Sequence, residues 1–421
     1  MAWIKSNGNQ KDWAGLLFTR NAGTAAGLSV LNNGDIRYHW DAGGYNWVSK
    51  ARLIPGEWTH VAIVASPDAI TIYKDGVPFT NTVTVVPQSF ESPLIIGADL
   101  NGGDRYFKGE MDEICTYDRA LSQSEIREIM HLTRTHTNNP GMLSYHQFNE
   151  GVDLILDKQN SFHASLSGNV SIINSTAPVG PGFSHRLDIR NKGSFSFGLT
   201  GLIIDSEDSG VYPNGELCIT RINYIPTIGF DPIQKPVSPA YWILHNFGSN
   251  TSFTAFKNMN FQNIGAVSTQ TTMDELKLFK RVPNADTSTW LFSDVSVGLQ
   301  AGNNASAQFN KTKVQTQGQF LITKAISDTL VVGIDKPIAW NENPELAIYP
   351  NPLTGDQLFN IETTLEGEVK TKLIDDKGRT IFMFSFHKKY QFDPTHLQAG
   401  IYICSFETKQ HLIFKKIIIA K

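Results

Sequence analysis

The acidic run Glu110-Met111-Asp112-Glu113 comes closest to a catalytic pattern in this chain. Two carboxylates about 5 Å apart across one cleft are what a retaining glycosidase uses as nucleophile and acid. Strand alternation puts Glu110 and Asp112 on one face, but the next residue on that face is Ile114, and Cys115 follows. The acid series stops at two, so we read the segment as non-catalytic. The chain also has no His-Glu-x-x-His pair, no Gly-x-Ser-x-Gly elbow and no glycine-rich phosphate loop with a lysine. Its 11 histidines are scattered. His60, beside Val61 in a β-branched run, reads as a hydrogen-bonded structural residue.

Oxygen chemistry is more promising. Asp99-Leu100-Asn101-Gly102-Gly103-Asp104 puts Asp99, Asn101 and Asp104 in a glycine-rich loop, the flexible all-oxygen setting that Ca²⁺ favours. Asp112 is a fourth candidate ligand, because it shares a strand face with Ile114 and its charge needs a partner. The alternative is that the loop residues are solvated turn formers and that Asp112 accepts backbone N–H bonds.

Aromatic and amide groups cluster in Tyr38-His39-Trp40-Asp41 and Tyr45-Asn46-Trp47, around Ala42-Gly43-Gly44. Aromatic rings stack on the apolar face of a pyranose while Asn and Asp bond its hydroxyls. Trp40, Asp41, Tyr45, Asn46 and Trp47 are therefore the candidate sugar-binding residues. The competing reading makes Trp40 and Trp47 core residues, and their spacing alone does not decide between the two.

The elements that would position these groups are strands. Trp58-Thr59-His60-Val61-Ala62-Ile63-Val64 and Ala69-Ile70-Thr71-Ile72-Tyr73 are β-branched runs, and Asp75-Gly76 is a hairpin signal. One short helix is marked by Ser122 three residues before Glu125, with Ile126, Ile129 and Met130 at helical intervals. Residues 139–182 are turn-rich and read as a connector that folds against a neighbour. Residues 183–335, with Tyr241-Trp242-Ile243-Leu244 and Leu276-Lys277-Leu278-Phe279 as strand candidates, read as a second β-sandwich of unknown role. Met273 to Arg281 echoes Met111 to Arg119, but a nine-residue echo is within reach of shared strand grammar.

Composition narrows the function classes. The 421 residues, 41% hydrophobic and 18% charged with a net charge of −4, describe an ordinary multi-domain globular chain with no electrostatic reason to bind nucleic acid. No apolar run approaches the eighteen or so residues of a transmembrane helix. Cys115, Cys218 and Cys404 lie far apart, one in each large domain, and read as buried apolar residues rather than a disulfide framework.

The first domain, residues 1–138, resembles a concanavalin A-like, laminin-G-like domain. The resemblance rests on Pro55-Gly56-Glu57-Trp58-Thr59-His60-Val61-Ala62, Ile72-Tyr73-Lys74-Asp75-Gly76, Ile95-Ile96-Gly97, Phe107-Lys108-Gly109-Glu110-Met111-Asp112-Glu113-Ile114 and Tyr117-Asp118-Arg119-Ala120-Leu121-Ser122. It implies a jelly-roll sandwich, and it leads us to expect that the family's first strands precede Met1. Such domains often hold calcium at the sandwich rim. Some glucanases of this fold use alternating acids on one strand, a series that Ile114 interrupts here.

Residues 340–421 resemble the C-terminal sorting domain of bacterial type IX secretion. The signature is an ordered set: Leu346-Ala347-Ile348-Tyr349-Pro350-Asn351-Pro352, Leu373-Ile374-Asp375-Asp376-Lys377-Gly378-Arg379, Leu397-Gln398-Ala399-Gly400-Ile401-Tyr402-Ile403 and the basic terminal strand to Lys421. It implies a small Ig-like β-sandwich, engagement of the type IX machinery, and a secreted or outer-membrane cell-surface location, with the tail removed on export. Met1-Ala2-Trp3-Ile4-Lys5 is not a signal peptide, so an exported chain is expected to begin further upstream. The expectation is thus an all-β, non-enzymatic adhesin or carbohydrate-binding protein whose partners are a glycan or a cell-surface or extracellular protein. The alternative is the non-catalytic C-terminal part of a larger secreted protease or glycosidase.

Overall fold

The computed structural model describes residues 1–21, 24–40, 45–85, 93–101, 103–134, 139–149, 154–159, 161–226, 234–286, 290–310, 317–325, 346–351, 353–354, 358–375, 380–394, 397–408 and 412–420. The chain forms two compact units, Met1–Ile326 and Ser327–Lys421. It is all-β, as the alternating runs require.

The first unit opens with β1 (Ala2–Ser6), β2 (Ala14–Asn21), β3 (Thr24–Val30), β4 (Asp35–Trp40), β5 (Tyr45–Arg52), β6 (Trp58–Ser66), β7 (Ala69–Lys74), β8 (Val77–Thr82), β9 (Leu94–Ile96) and β10 (Gly109–Asp112). These make two five-stranded sheets, β10-β1-β6-β7-β8 and β5-β4-β3-β2-β9. β1 is an inner strand, paired with β10 on one side and β6 on the other. The β7–β8 hairpin closes on Asp75 and Gly76, both at positive φ (50° and 75°), the backbone that a two-residue Asp-Gly turn demands. Between the sheets Ile4, Val61, Ile70 and Ile72 meet Leu16, Leu28, Val30, Ile36, Tyr38 and Trp40.

The β1-containing sheet is buried on its other face too. Ala62 and Tyr73 pack under α1 (Gln123–Ile129), whose Ser122–Glu125 capping box satisfies its first turn as the spacing requires. After β11 (Ile114–Tyr117) and β12 (Met142–His146), which pair with each other, the connector returns across Trp3 and Trp58 through Ala177 and Val179. The Trp58 indole donates to Thr176 Oγ1, which donates to Asp286 of the next domain, and Lys5 donates to the same carboxylate at 2.7 Å. His131 and His245 meet in this layer, and Arg127 pairs with Glu216 at 3.0 Å.

The second domain sets a large sheet ordered Gly182–Ile189, Gly215–Ile222, Tyr241–Asn246, Gly318–Ala325, Leu276–Arg281, Leu291–Val295 against a five-stranded sheet. Trp242, Phe253, Phe256, Phe261, Phe309 and Phe320 fill the space between them. The nine-residue echo is only partial: Met111 lies in a strand, whereas Met273–Glu275 is a 3₁₀ turn.

The second unit is a small sandwich. Leu346–Tyr349, Phe359–Thr363 and Lys389–Phe392 form one sheet. The other is ordered Leu353–Thr354, Leu412–Ala420, Gly400–Glu407, Val369–Ile374, Thr380–Phe386. Val369, Leu373, Phe386, Tyr402, Cys404, Phe406, Ile417 and Ile419 build its core. The expected Asp376-Lys377-Gly378 turn lies outside the described residues.

Candidate ligand-binding face

One sheet of the first sandwich is covered on both sides; the outer face of β5-β4-β3-β2-β9 exposes Asn46 and Val48 and buries Phe18 and Ser29. On β4, Ile36, Tyr38 and Trp40 point into the core, so Asp35, Arg37 and His39 point out. Register extends that outer side across the sheet. His39 lies opposite Gly27 and Asn46, and Gly27 lies opposite Phe18; Arg37 lies opposite Ser29 and Val48. Phe18 stacks on His39 with ring centroids 6.1 Å apart, and the Arg20 guanidinium lies 5.0 Å from the centre of the Phe18 ring.

The segment running from Gly97 to Phe107 lies directly on this face. A Cβ on Gly15 would fall 2.2 Å from the Ala98 carbonyl carbon, so only glycine lets the segment down onto β2. Gly15 N donates to Arg105 O at 2.9 Å, and Phe107 N donates to Gly97 O at 2.8 Å. This brings Asp99, 2% exposed, between two arginines. Arg20 donates to both of its oxygens, and Arg105 donates to Oδ2 at 2.9 Å. Burial alone would raise the Asp99 carboxyl, but the bonds from Arg20 and Arg105 outweigh it and hold the pKa below the ordinary value.

Trp13 stands at the edge of this cluster. It is 43% exposed and has φ of 66°, a left-handed backbone that a bulky residue rarely adopts and that costs roughly 1–3 kcal/mol. The Arg105 guanidinium sits 4.6 Å from the ring centre and that of Arg37 5.9 Å. Tyr106, 56% exposed, bridges to Gly15, two residues after Trp13. Exposed aromatic area, guanidinium donors and the outward amide of Asn46 thus share one side of the sandwich. These groups suit a ligand with apolar C–H faces and many hydroxyls.

The sequence-derived residues divide. Asn46 is exposed, on the outer side opposite His39. Trp40 must be corrected: it is 3% exposed, stacked on Tyr38 at 5.5 Å inside the core, because β4 parity turns it inward. Trp47, opposite Tyr38, is half-buried and packs against the same core. Asp41 lies outside the described residues; Tyr45 pairs with Trp40 through the backbone, and its side chain also lies outside them.

The proposed calcium set needs the same correction, since its members are not brought together. Asp99 is ion-paired to Arg20 and Arg105, and the exposed Asp104 is ion-paired to Lys11. Asn101 is exposed. Asp112 lies opposite Trp3 in the other sheet and accepts from Glu113 N at 2.8 Å; burial pushes its pKa up. Among the described residues no three His, Cys, Asp or Glu side chains converge as a metal shell would require. The Glu110–Asp112 pair faces the interdomain layer, where Lys5 lies 3.8 Å from Glu110.

Residue reading missed Trp13, Arg20, Arg37 and Arg105. Trp13 did carry a signal, a lone large aromatic after Asn9-Gln10-Lys11-Asp12 and just before a glycine-containing strand. The arginines carried none, because they converge only through sheet register.

Residues 1–127 match the family model described as the concanavalin A-like lectin/glucanases superfamily. Residues 347–420 match the secretion system C-terminal sorting domain. The second match marks the chain for export through type IX secretion to the secreted or cell-surface compartment, and it implies contact with that machinery. Among the described residues no helix is long and apolar enough to cross a membrane.

Proposed function

We propose that this exported chain is a non-catalytic carbohydrate-binding or adhesion protein, and that it takes its glycan on the outer face of the β5-β4-β3-β2-β9 sheet. The observation that carries the reading is Trp13: an indole kept 43% exposed on a left-handed backbone, beside Arg105, Arg37 and the exposed Tyr106. Folding gains little from such a ring, whereas a pyranose gains a stacking surface. The match to a superfamily that contains lectins is consistent with this use. The non-catalytic part is supported by the placement of Glu110 and Asp112 against the interdomain layer, where they serve Lys5 and a backbone N–H.

A glycan array probed with the whole chain and with Trp13→Ala tests the proposal. Hits that vanish in a variant with an unchanged melting temperature support it. An array blank with folded wild-type protein, or hits indifferent to Trp13, would overturn it.

A further inference from the structure

The geometry points to an anionic sugar: the outer face is built for a pyranose bearing a carboxylate or sulfate, its oxyanion on the Arg37 guanidinium and its ring against Trp13. This rests on the carbohydrate-binding reading above and names the ligand class.

Three guanidiniums gather on this face, and two of them hold its one buried carboxylate. Arg20 and Arg105 both use Asp99. Arg37 has no carboxylate partner among the described residues; Nη2 contacts His39 Nδ1 at 3.1 Å, and its remaining contact is the Trp13 ring. A guanidinium presents five N–H donors in a fork that matches a carboxylate or sulfate edge, so most of this fork is unspent. Among the described residues no acid stands across from it: Ser29 and Val48 occupy the facing positions, and Asp35, two residues along β4, is engaged by Arg52 at 2.7 Å. Asp12, beside Trp13, accepts from Asn32.

Two further observations favour an anion. The Arg37 side chain is disfavoured as a cation by burial first and then by the proximity of Arg105, with Asp99 offsetting part of this and Arg20 adding to it, a net penalty that a bound negative charge would relieve. Ser29 Oγ is buried without a hydrogen-bond partner, on the same outer side and directly opposite Arg37 in register. A hydroxyl there can donate to the second oxygen of the same anion.

The test is calorimetric titration of the whole chain with three probes: an oligogalacturonate, its neutral methyl ester, and a sulfated dextran oligomer of similar length. The inference expects the uronate or the sulfated probe to bind at least about tenfold more tightly than the ester, the range one charge-assisted bidentate contact spans. The advantage should shrink as salt rises from 50 to about 500 mM. Arg37→Gln should abolish the difference between the acidic probes and the ester. If Arg37→Gln fails to fold, Arg37→Lys keeps the charge but loses the fork, and it should weaken the acidic probe alone. Which acidic probe wins identifies the oxyanion. Equal binding of acid and ester would overturn this inference and leave the lectin reading standing; no binding of any glycan would remove both.

Discussion

The Nε2 atom of His131 lies 2.7 Å from Nε2 of His245, so one ring must donate and the other accept. His131 Nδ1 lies 2.6 Å from the Pro178 carbonyl, which can only accept, so Nδ1 carries the His131 proton. His245 therefore donates to His131, and this bond joins the first sandwich to the second only while the His131 ring is neutral.

That dependence gives a pH prediction. Burial pushes His131 down to about 4 and His245 well below its usual value, with His131 and then Arg127 adding to the effect on His245. A depressed histidine contributes undiminished stability above the unfolded pKa of 6.5 and loses it as pH falls toward the folded pKa. Between pH 7 and pH 5 the wild type should lose roughly 2 kcal/mol relative to His131→Gln in urea denaturation, from that one group. Parallel pH profiles for the two proteins would remove the neutral-pair account.

Glu113 should act in the opposite direction. It is buried, its backbone is held at φ of 54°, and it accepts from the Tyr145 hydroxyl and from Gln147 Nε2 at 3.3 Å. Burial pushes its pKa up to about 7, and Asp112 adds to the rise. An acid with a raised folded pKa stabilises below its unfolded value, and that contribution is lost as pH climbs through the folded pKa. Relative to Glu113→Gln, the wild type should gain roughly 2 kcal/mol on going from pH 7 to pH 5. An unchanged difference across that range would place the proton elsewhere.

Two tryptophans should respond differently to truncation. Trp40→Ala removes a core ring stacked on Tyr38 and should cost about 3–5 kcal/mol, read by denaturant midpoint. Trp13→Ala should cost less than about 1 kcal/mol, and Trp13→Gly less still, since glycine relieves the left-handed strain. Glycan binding should be lost in both Trp13 variants. A Trp13→Ala variant as unstable as Trp40→Ala would make Trp13 structural.

The segment over the sheet depends on Gly15. In Gly15→Ala the new Cβ would meet the backbone of Ala98 and Asp99, so Gly97 to Phe107 must lift and Asp99 must leave Arg20 and Arg105. We expect a loss of about 3 kcal/mol or more, since parting a buried ion pair leaves its charges unpaired. Proteolysis between 97 and 107 should speed up, and glycan binding should fall with it. Wild-type behaviour on all three measures would show that the segment adapts.

Much of the fold was legible because its signals are local. The β7–β8 hairpin is written in Asp75-Gly76, the helix start in Ser122 and Glu125, and the tail in an ordered series of turns and short strands. The connector's habit of folding against a neighbour could be read from its turn residues, but not which neighbour. That took the chain from Trp58 through Thr176 to Asp286.

The candidate face was only partly legible. Asn46 lies on it, while Trp40 is core and Trp47 packs half-buried against the core. Sequence by itself determined that the chain is all-β, that it opens with a concanavalin A-like domain and that it ends in an export tail, since strand period, turn chemistry and motif order are properties of neighbouring residues. Tertiary structure alone decided which side of each strand is covered. It turned Trp40 inward, left Trp13 outside, gathered Arg20 and Arg105 round Asp99 and set Arg37 beside Trp13, because facing is set by strand register, by the bulge after Gly15 and by what packs on each sheet.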